Sequence, residues 1–173
     1  MIQLVPFTRD DFADLISWTD SPETLMQYAG PIYSFPLTEE QLMAALADAQ
    51  RMFYTVVETA TARRIGHAEI YKGTEKAFLC CIYIGNKAFR NRGLGYEVVS
   101  RLLEIVFIDL GYRRAELNVF DWNEPAIRCY RKAGFKPDPA KEGVRKIGEQ
   151  SWRVINMYLR KSTWLRTAKK QVP

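Results

Sequence analysis

Ile84-Gly85-Asn86-Lys87-Ala88-Phe89-Arg90-Asn91-Arg92-Gly93-Leu94-Gly95, running straight into Tyr96-Glu97-Val98-Val99, decides the reading of this chain. The residues before it, Phe78–Ile84, are aromatic and β-branched and read as a buried strand. The residues after it put Val99, Leu102, Leu103, Val106, Phe107 and Leu110 on one helical face, and Gly111 is the stop signal. A helix start offers unpaired N–H groups and the positive end of its dipole. Glycines let the backbone come close to a phosphate. Arg90 and Arg92 add charge beside Gly93 and Gly95, so the loop reads as a diphosphate cradle. Taken alone, the pattern Arg90-x-x-Gly93-x-Gly95 also suits an ordinary loop. Two other phosphate loops fit worse. A Walker A loop needs Lys and Ser/Thr after its last glycine, and Gly95 is followed by Tyr96-Glu97. A dinucleotide fingerprint needs a glycine turn directly after its strand and a third small residue where Val98 stands.

Outward from this loop, Met52–Glu58 and Arg64–Tyr71 read as strands with turn signals between them, so an antiparallel meander precedes the loop. Upstream, Met1–Pro6 reads as a strand. Thr8 with Asp11, Ser21 with Pro22, and Thr38 with Gln41 are helix starts, and Gly30-Pro31 is a break. Downstream, Arg114–Phe120 is a strand and Asn123 caps a helix through Ala133. Gly134 ends that helix, an extra strand is expected near Phe135, and Gln150–Leu159 is the last strand. The tail after Lys161 reads as a basic, frayed end. The fold class is α/β in one domain, 1–173, with a mixed sheet.

Composition sets outer bounds. The chain has 173 residues, 47% hydrophobic and 26% charged, as in an ordinary globular core. No run approaches the roughly 18 apolar residues of a membrane helix, and Met1–Thr8 is no signal peptide, so a cytoplasmic protein is expected. Cys80, Cys81 and Cys129 lack metal spacing, and adjacent Cys80 and Cys81 should point to opposite faces. With His67 as the single histidine, no metal is expected, and His67 reads as a surface or hairpin residue. Of the 25 basic and 20 acidic residues, residues 1–50 hold only Arg9 against eight acids; 24 basic and 12 acidic residues remain in the rest. A basic body suits a polyanionic ligand and an acidic segment a cationic one, although both are also ordinary solvated faces.

The segment Asn123-Glu124-Pro125-Ala126-Ile127-Arg128-Cys129-Tyr130-Arg131-Lys132-Ala133-Gly134-Phe135 completes a pair of motifs with the loop. Together, and with Tyr112-Arg113-Arg114 before a strand, they resemble the GNAT superfamily of acyl-CoA-dependent N-acyltransferases, densely from Ile82 to Phe135. The front, with Trp18, Asp20 and Pro36-Leu37-Thr38, and Tyr83-Ile84-Gly85-Asn86-Lys87 before the loop, resemble the branch related to ribosomal-protein N-terminal acetyltransferases.

The resemblance implies a GNAT-like, mostly antiparallel sheet flanked by helices, with acetyl-CoA as co-substrate. It implies that residues 78–135 form the acetyl-CoA-binding core and that residues 1–50 form one wall of the acceptor groove. Backbone N–H groups of Arg90, Asn91, Arg92, Gly93, Leu94 and Gly95, with Tyr96 in the first turn, would bind the pyrophosphate. The strand edge at Ile82 and Ile84 would pair with the pantetheine arm. Asn123 would hydrogen-bond the cofactor besides capping its helix. Tyr130 would protonate the leaving thiolate, a suitable task for a phenol.

Attack of a neutral amine on a thioester needs a proton acceptor, because aliphatic amines have pKa values near about 10.4. Glu69 and Glu116, on predicted strands flanking the site, are candidates beside water itself. No covalent nucleophile is needed. The expected activity is N-acetylation of a small molecule or peptide N-terminus, by a monomer or homodimer without nucleic-acid or membrane partners. A non-catalytic acyl-CoA-binding module is the alternative. Acids and aromatics together in residues 1–50 (Trp18, Tyr28, Tyr33, Phe35) point to a cationic acceptor such as a polyamine, aminoglycoside or basic peptide.

Overall fold

The computed structural model describes residues 1–169. Ile2–Pro6 is β1. Thr8 and Asp11 close a reciprocal capping box, in which the Thr8 N–H donates to Asp11 Oδ2 at 2.7 Å, and a single tight turn leads into α1 (Phe12–Trp18). Ser21 caps α2 (Pro22–Ala29), its hydroxyl accepting from the Thr24 N–H at 3.0 Å. Thr38 caps α3 (Glu39–Leu46). The Gln41 side chain does not return to Thr38, as a full capping box would require. It donates instead to the carbonyls of Ser34 and Pro36, at 3.0 and 2.9 Å, and pins the aromatic connection between α2 and α3.

The meander follows as β2 (Arg51–Glu58), β3 (Arg63–Lys72) and β4 (Ala77–Ile84), antiparallel throughout, with β1 antiparallel on β2. After the loop come α4 (Leu94–Glu104), β5 (Arg114–Phe120), α5 (Glu124–Lys132), the two-residue β6 (Lys136–Pro137), β7 (Gly143–Ile147), β8 (Gln150–Arg160) and α6 (Lys161–Lys169). The strand order is β1-β2-β3-β4-β5-β8-β6, with β7 on β8 as well. The β4–β5 pair is parallel and the other pairs are antiparallel. The mixed, mostly antiparallel sheet expected from sequence is therefore present.

Three expectations need correction. The long helix does not run evenly to Leu110. Ile105–Asp109 is a wide π turn in which the Leu110 N–H reaches the Ile105 carbonyl at 2.9 Å. Val106 and Phe107 stay fully buried there while Ile108 turns outward. The tail is not frayed over Lys161–Lys169. It is helical because Trp164 packs on Phe107, ring centroids 5.4 Å apart, and the Lys161 N–H donates to the Arg113 carbonyl. Residues 170–173 lie outside the described residues. Finally, β7 was not expected at all. Val144 and Ile147 are its only β-branched residues, and the one signal was Gly148, whose φ of +53° makes the turn into β8.

The sheet has a different core on each face. Ala68 and Ile70 of β3 join Val98, Val99, Leu102, Leu103 and Phe107 in the larger cluster beneath α4 and α5. Burying each such large side chain contributes about 1.5–3 kcal/mol. On the other face, Phe12, Leu15, Leu25, Leu37 and Leu42 gather α1–α3 into a lobe.

Candidate functional site

The site begins where the sheet opens. β4 and β5 pair only at Ala77–Ala115 and Phe78–Glu116, and beyond these pairs no ladder joins them. A cavity of about 260 Å³ fills the gap. Leu79–Tyr83 of β4, Leu117–Phe120 of β5, and Asn123, Ala126 and Tyr130 from the start and body of α5 line it. Met26–Ile32, the end of α2 and the turn after it, form the opposite wall, with Arg145 of β7 and Val154 of β8.

A bulge shapes the β4 wall. His67 pairs with Tyr83 and Glu69 with Cys80, so two residues of β3 span three of β4. Cys81 takes up the extra residue at φ +50°. The bulge breaks the strand's alternation, so Cys80 and Cys81 do not separate to opposite faces. Both touch the lobe cluster and both line the cavity. Burial pushes the Cys80 thiol up to about 12 and the Cys129 thiol up to about 11, and raises Cys81 well above its usual value. They remain thiols.

The loop past β4 is built from within. Arg90 does not extend its charge outward. Its guanidinium donates to the carbonyls of Ile84 (2.8 Å) and Gly85 (3.2 Å) and to the Tyr83 hydroxyl (2.9 Å). Its side chain therefore braces the loop against the strand end. Arg92 is exposed and lies over the Phe89 ring at 5.1 Å. Asn91 and Gly93 have φ of +60° and +77°, the left-handed turns that bring the chain into α4. Gly93 is the N-cap of α4 and no side chain caps that helix, so its first-turn donors are left for another acceptor. The Tyr96 N–H is the exception, donating to the Gly93 carbonyl. A Cβ on Gly93 would meet nothing within 4 Å, so the space before the helix start is open. Leu94 is buried in the large core, and Lys132 of α5 sits over the Tyr96 ring at 4.5 Å. None of Arg90–Tyr96 lines the cavity. The loop connects to it through Gly95, which faces the Cys129 sulfur one residue before Tyr130. Of the strand-edge candidates, Ile82 lines the cavity, whereas Ile84 pairs with Gly66 and anchors Arg90.

Asn123 and Tyr130 both line the cavity wall. Asn123 Oδ1 accepts from the Ala126 N–H at 3.3 Å, capping α5. Tyr130 is 9% exposed. Burial first, then the neighbouring Cys129 and Cys80, raise its phenol well above the ordinary value, so it is protonated at any working pH.

The two carboxylate candidates lie elsewhere. Glu69 is fully buried on the lobe face. It accepts from Arg51 at 2.7 Å and from the Tyr33 hydroxyl and His67 Nε2, each at 3.1 Å. Burial alone would raise its carboxyl, but His67 and Arg51 more than offset this and hold it below the usual range. His67 is thus no surface residue: it is 1% exposed, with its ring edge on Phe7 at 4.6 Å and its Nδ1 without a partner. The sequence could not show that Phe7 and α1 would cover it. Glu116 is equally buried, at the last β4–β5 pair. Its Oε1 accepts from Arg114 (2.7 Å), Lys141 (2.8 Å) and Lys76 (3.0 Å). Burial opposes its ionisation too, yet these cations keep its carboxyl low. Neither glutamate lines the cavity.

The acidic segment also differs from its expected role. Asp11 and Asp14 pair with Arg64, Asp20 with Lys87, Glu39 with Arg9 and Asp48 with Arg51. No acid of residues 1–50 lines the cavity. Of the aromatics there, Tyr28 lines it, stacked on Tyr83 at 4.4 Å, and Tyr33 is turned to Glu69.

Residues 2–136 match the acetyltransferase (GNAT) domain. The chain belongs to the GNAT acetyltransferase family. Among curated relatives of this GNAT chain, an uncharacterized N-acetyltransferase of the SPbeta prophage in Bacillus subtilis is 35% identical over 60 residues, 34% of this chain and 32% of that one. The thialysine N-epsilon-acetyltransferase of Sus scrofa is 26% identical over 92 residues, 53% of this chain and 46% of that one. The matches thus span less than half of either relative. The spermidine N-acetyltransferase of Vibrio cholerae, solved with CoA and spermine, superposes with a TM-score of 0.79 at 20% identity, over 95% of this chain and 98% of that one. Aminoglycoside acetyltransferase AAC(6′)-Ib, solved with coenzyme A and kanamycin, gives 0.73 at 23% identity, over 97% and 99%. At these identities the solved neighbours speak for the GNAT fold. Among the described residues, no helix is long and apolar enough to cross a membrane.

Proposed function

We propose that this GNAT chain moves an acetyl group from acetyl-CoA directly to a primary amine of a small molecule. The observation that carries the reading is the opening between β4 and β5, with Tyr130 on its wall and the uncapped start of α4 beside it. Main-chain donors of Asn91–Gly95 hold the pyrophosphate, and the unpaired edge of β4 around Ile82 takes the extended pantetheine arm. Arg90 serves by bracing this loop. Acetyl-CoA supplies an activated acyl group as a thioester. Amide groups on the bulged part of β4 polarise its carbonyl as the amine attacks. Tyr130, neutral because it is buried, donates its proton to the sulfur as the thiolate leaves. Asn123 orients the start of α5 and offers its amide to the cofactor.

The amine arrives as an ammonium and must lose a proton. Glu69 and Glu116 are held by cations outside the cavity lining, so water is the acceptor this geometry favours. Glu69 instead fixes Tyr33, next to the Ile32 wall. A small-molecule acceptor suits the enclosed cavity, and the solved neighbours named above were captured with small amines. The ribosomal-protein branch and a peptide N-terminus find no counterpart among the relatives named above.

Thiol release from acetyl-CoA, followed across a panel of amines, tests the reading. Amine-dependent release that Tyr130→Phe suppresses, while acetyl-CoA still binds, supports it. Tight acetyl-CoA binding with no release for any amine would instead establish the non-catalytic binding module.

A further inference from the structure

The charge of the cavity differs from that of the segment forming its outer wall. Its lining holds Tyr28, Tyr83 and Tyr130, the thiols of Cys80 and Cys81, and Arg145, but no carboxylate. Burial raises all three phenols and both thiols, so they carry no charge. The nearest fixed anion on the lobe face, Glu69, lies behind Cys80 and Cys81, outside the lining; it adds to the rise of both thiols and is paired with Arg51. Asp20 is tied to Lys87. Glu23, one turn before Met26 on α2, is exposed and not part of the lining. Among the described residues, Arg145 is therefore the one charged side chain in the lining.

Arg145 is also uncommitted. It is exposed, and its one hydrogen bond is a long 3.3 Å contact to the adjacent Val144 carbonyl. Among the described residues it makes no ion pair, whereas the neighbouring Arg153 is held by Glu142. It stands on β7, opposite Trp152 of β8, where β7 comes close to α2. That places the guanidinium on the acceptor wall, beside Met26–Ile32. A guanidinium presents a planar fork of donors that a carboxylate matches with two parallel hydrogen bonds. On a lining that holds no carboxylate, it attracts an anionic group and repels a second cation.

We propose that the acceptor is a primary amine that also carries a carboxylate, of the amino-acid class, with Arg145 as the specificity-determining residue that receives it. This rests on the acetyl-transfer reading above and names its substrate class. The amine lies toward Tyr130 and Cys80, the carboxylate toward Arg145, and Met26, Ile32 and Val154 cover the apolar carbons between.

The experiment compares acceptors matched in size: amino acids, their carboxamides, aminoalkyl phosphates, and diamines with a second ammonium. Catalytic efficiency is measured for the parent chain and for Arg145→Gln and Arg145→Lys. The carboxylates are expected to exceed their carboxamides by about tenfold to a hundredfold, the worth of a charge-assisted hydrogen bond. The diamines are expected to rank last. Arg145→Gln should close the gap between acid and amide, and Arg145→Lys should restore part of it. Calorimetry on the CoA-saturated protein gives the same ranking as binding affinity, independent of turnover. Absent transfer with the carboxylate preference intact would defeat the acetyl-transfer reading and leave the Arg145 site standing. Carboxamides or diamines ahead of carboxylates, phosphates ahead of both, or a ranking that Arg145→Gln leaves unchanged would each overturn the proposal.

Discussion

The two faces of this sheet solve different problems. Beneath α4 and α5, β3 and β5 present Ala68, Ile70, Ala115 and Leu117 to an apolar core, and the polar work is left to backbone at the helix start. On the lobe face, the same β3 presents His67 and Glu69, and burying them requires Arg51 and Tyr33 as partners. A preformed main-chain cradle accepts an anion without any side-chain charge. A buried carboxylate instead needs every partner in place, since removing one leaves an uncompensated charge. The cofactor side should therefore fail by losing ligand, and the lobe side by losing stability.

The largest expected effect lies on the cofactor side. Gly93→Val places a β-branched residue at φ +77°, costing about 1–2 kcal/mol of backbone strain. Its Cβ meets no atom of the protein, so the fold survives. The side chain fills the space before α4 and blocks several charged hydrogen bonds to main chain. Acetyl-CoA affinity should fall by more than about a hundredfold, as read by calorimetry on protein with an unchanged circular dichroism spectrum. Unchanged affinity in that folded variant would remove the cradle. Next comes Tyr130→Phe, which should lower turnover about a hundredfold or more while acetyl-CoA affinity holds. Equal losses in both would make Tyr130 a packing residue.

Glu69→Gln sharpens the comparison from the other face. It should cost about 1–3 kcal/mol of stability by leaving Arg51 with Asp48, at the lobe surface, as its counter-charge, with acetyl-CoA affinity retained. The pH dependence has a definite sign. The folded Glu69 carboxyl lies below its ordinary value, so its contribution is full above about 4.3 and fades as pH falls through the folded value. Urea midpoints of the parent chain should therefore drop in acid more steeply than those of Glu69→Gln. Parallel curves would mean that Glu69 is not ionised in the fold. Glu116 shares the same direction and stays in both proteins, so it cancels from the difference.

What could be read from sequence divides along the same line. The loop and α5 are contiguous segments, and their glycines, caps and helical spacing carry their geometry locally. The strand-turn-helix at Ile84–Gly95 and the Asn123 cap are of this kind, whereas the place of Tyr130 at the site follows from the GNAT resemblance and not from local spacing. The bracing role of the Arg90 side chain is not legible in sequence, because its partners, the Tyr83 hydroxyl and the Ile84 and Gly85 carbonyls, come together with it only in the folded loop. The lobe is held by contacts between distant segments: Arg64 on Asp11 and Asp14, the Trp18 ring over Gly85, and the Tyr83 hydroxyl on the Trp18 carbonyl at 2.8 Å. A Cβ on Gly85 would come within 2.2 Å of that ring, so the glycine is there for the lobe and not for a phosphate. In sequence, the eight acids of residues 1–50 read as a charged wall. The fold pairs five of the eight and leaves Arg145, from a strand the sequence hardly marks, as the cavity's charge.

The smallest effect gives the most direct comparison, because it makes the same change on each side. Asn123 caps α5 by accepting from Ala126, and Ser21 caps α2 by accepting from Thr24, each three residues on. Alanine at either position removes one acceptor from a helix start and should cost about 1 kcal/mol of stability. The two changes are therefore matched controls for folding. They should separate in binding. Asn123 lies on the cavity wall at the cofactor side, so Asn123→Ala should also weaken acetyl-CoA by a further few-fold, the loss of one neutral hydrogen bond of about 1 kcal/mol. Ser21 lies a turn before the acceptor wall, so Ser21→Ala should leave acetyl-CoA affinity as it was and raise only the KM of the amine, through a looser Met26–Ile32 wall. Equal effects of the two alanines on acetyl-CoA would mean that Asn123 acts as a cap and nothing more, and the cofactor would then be held by main chain alone.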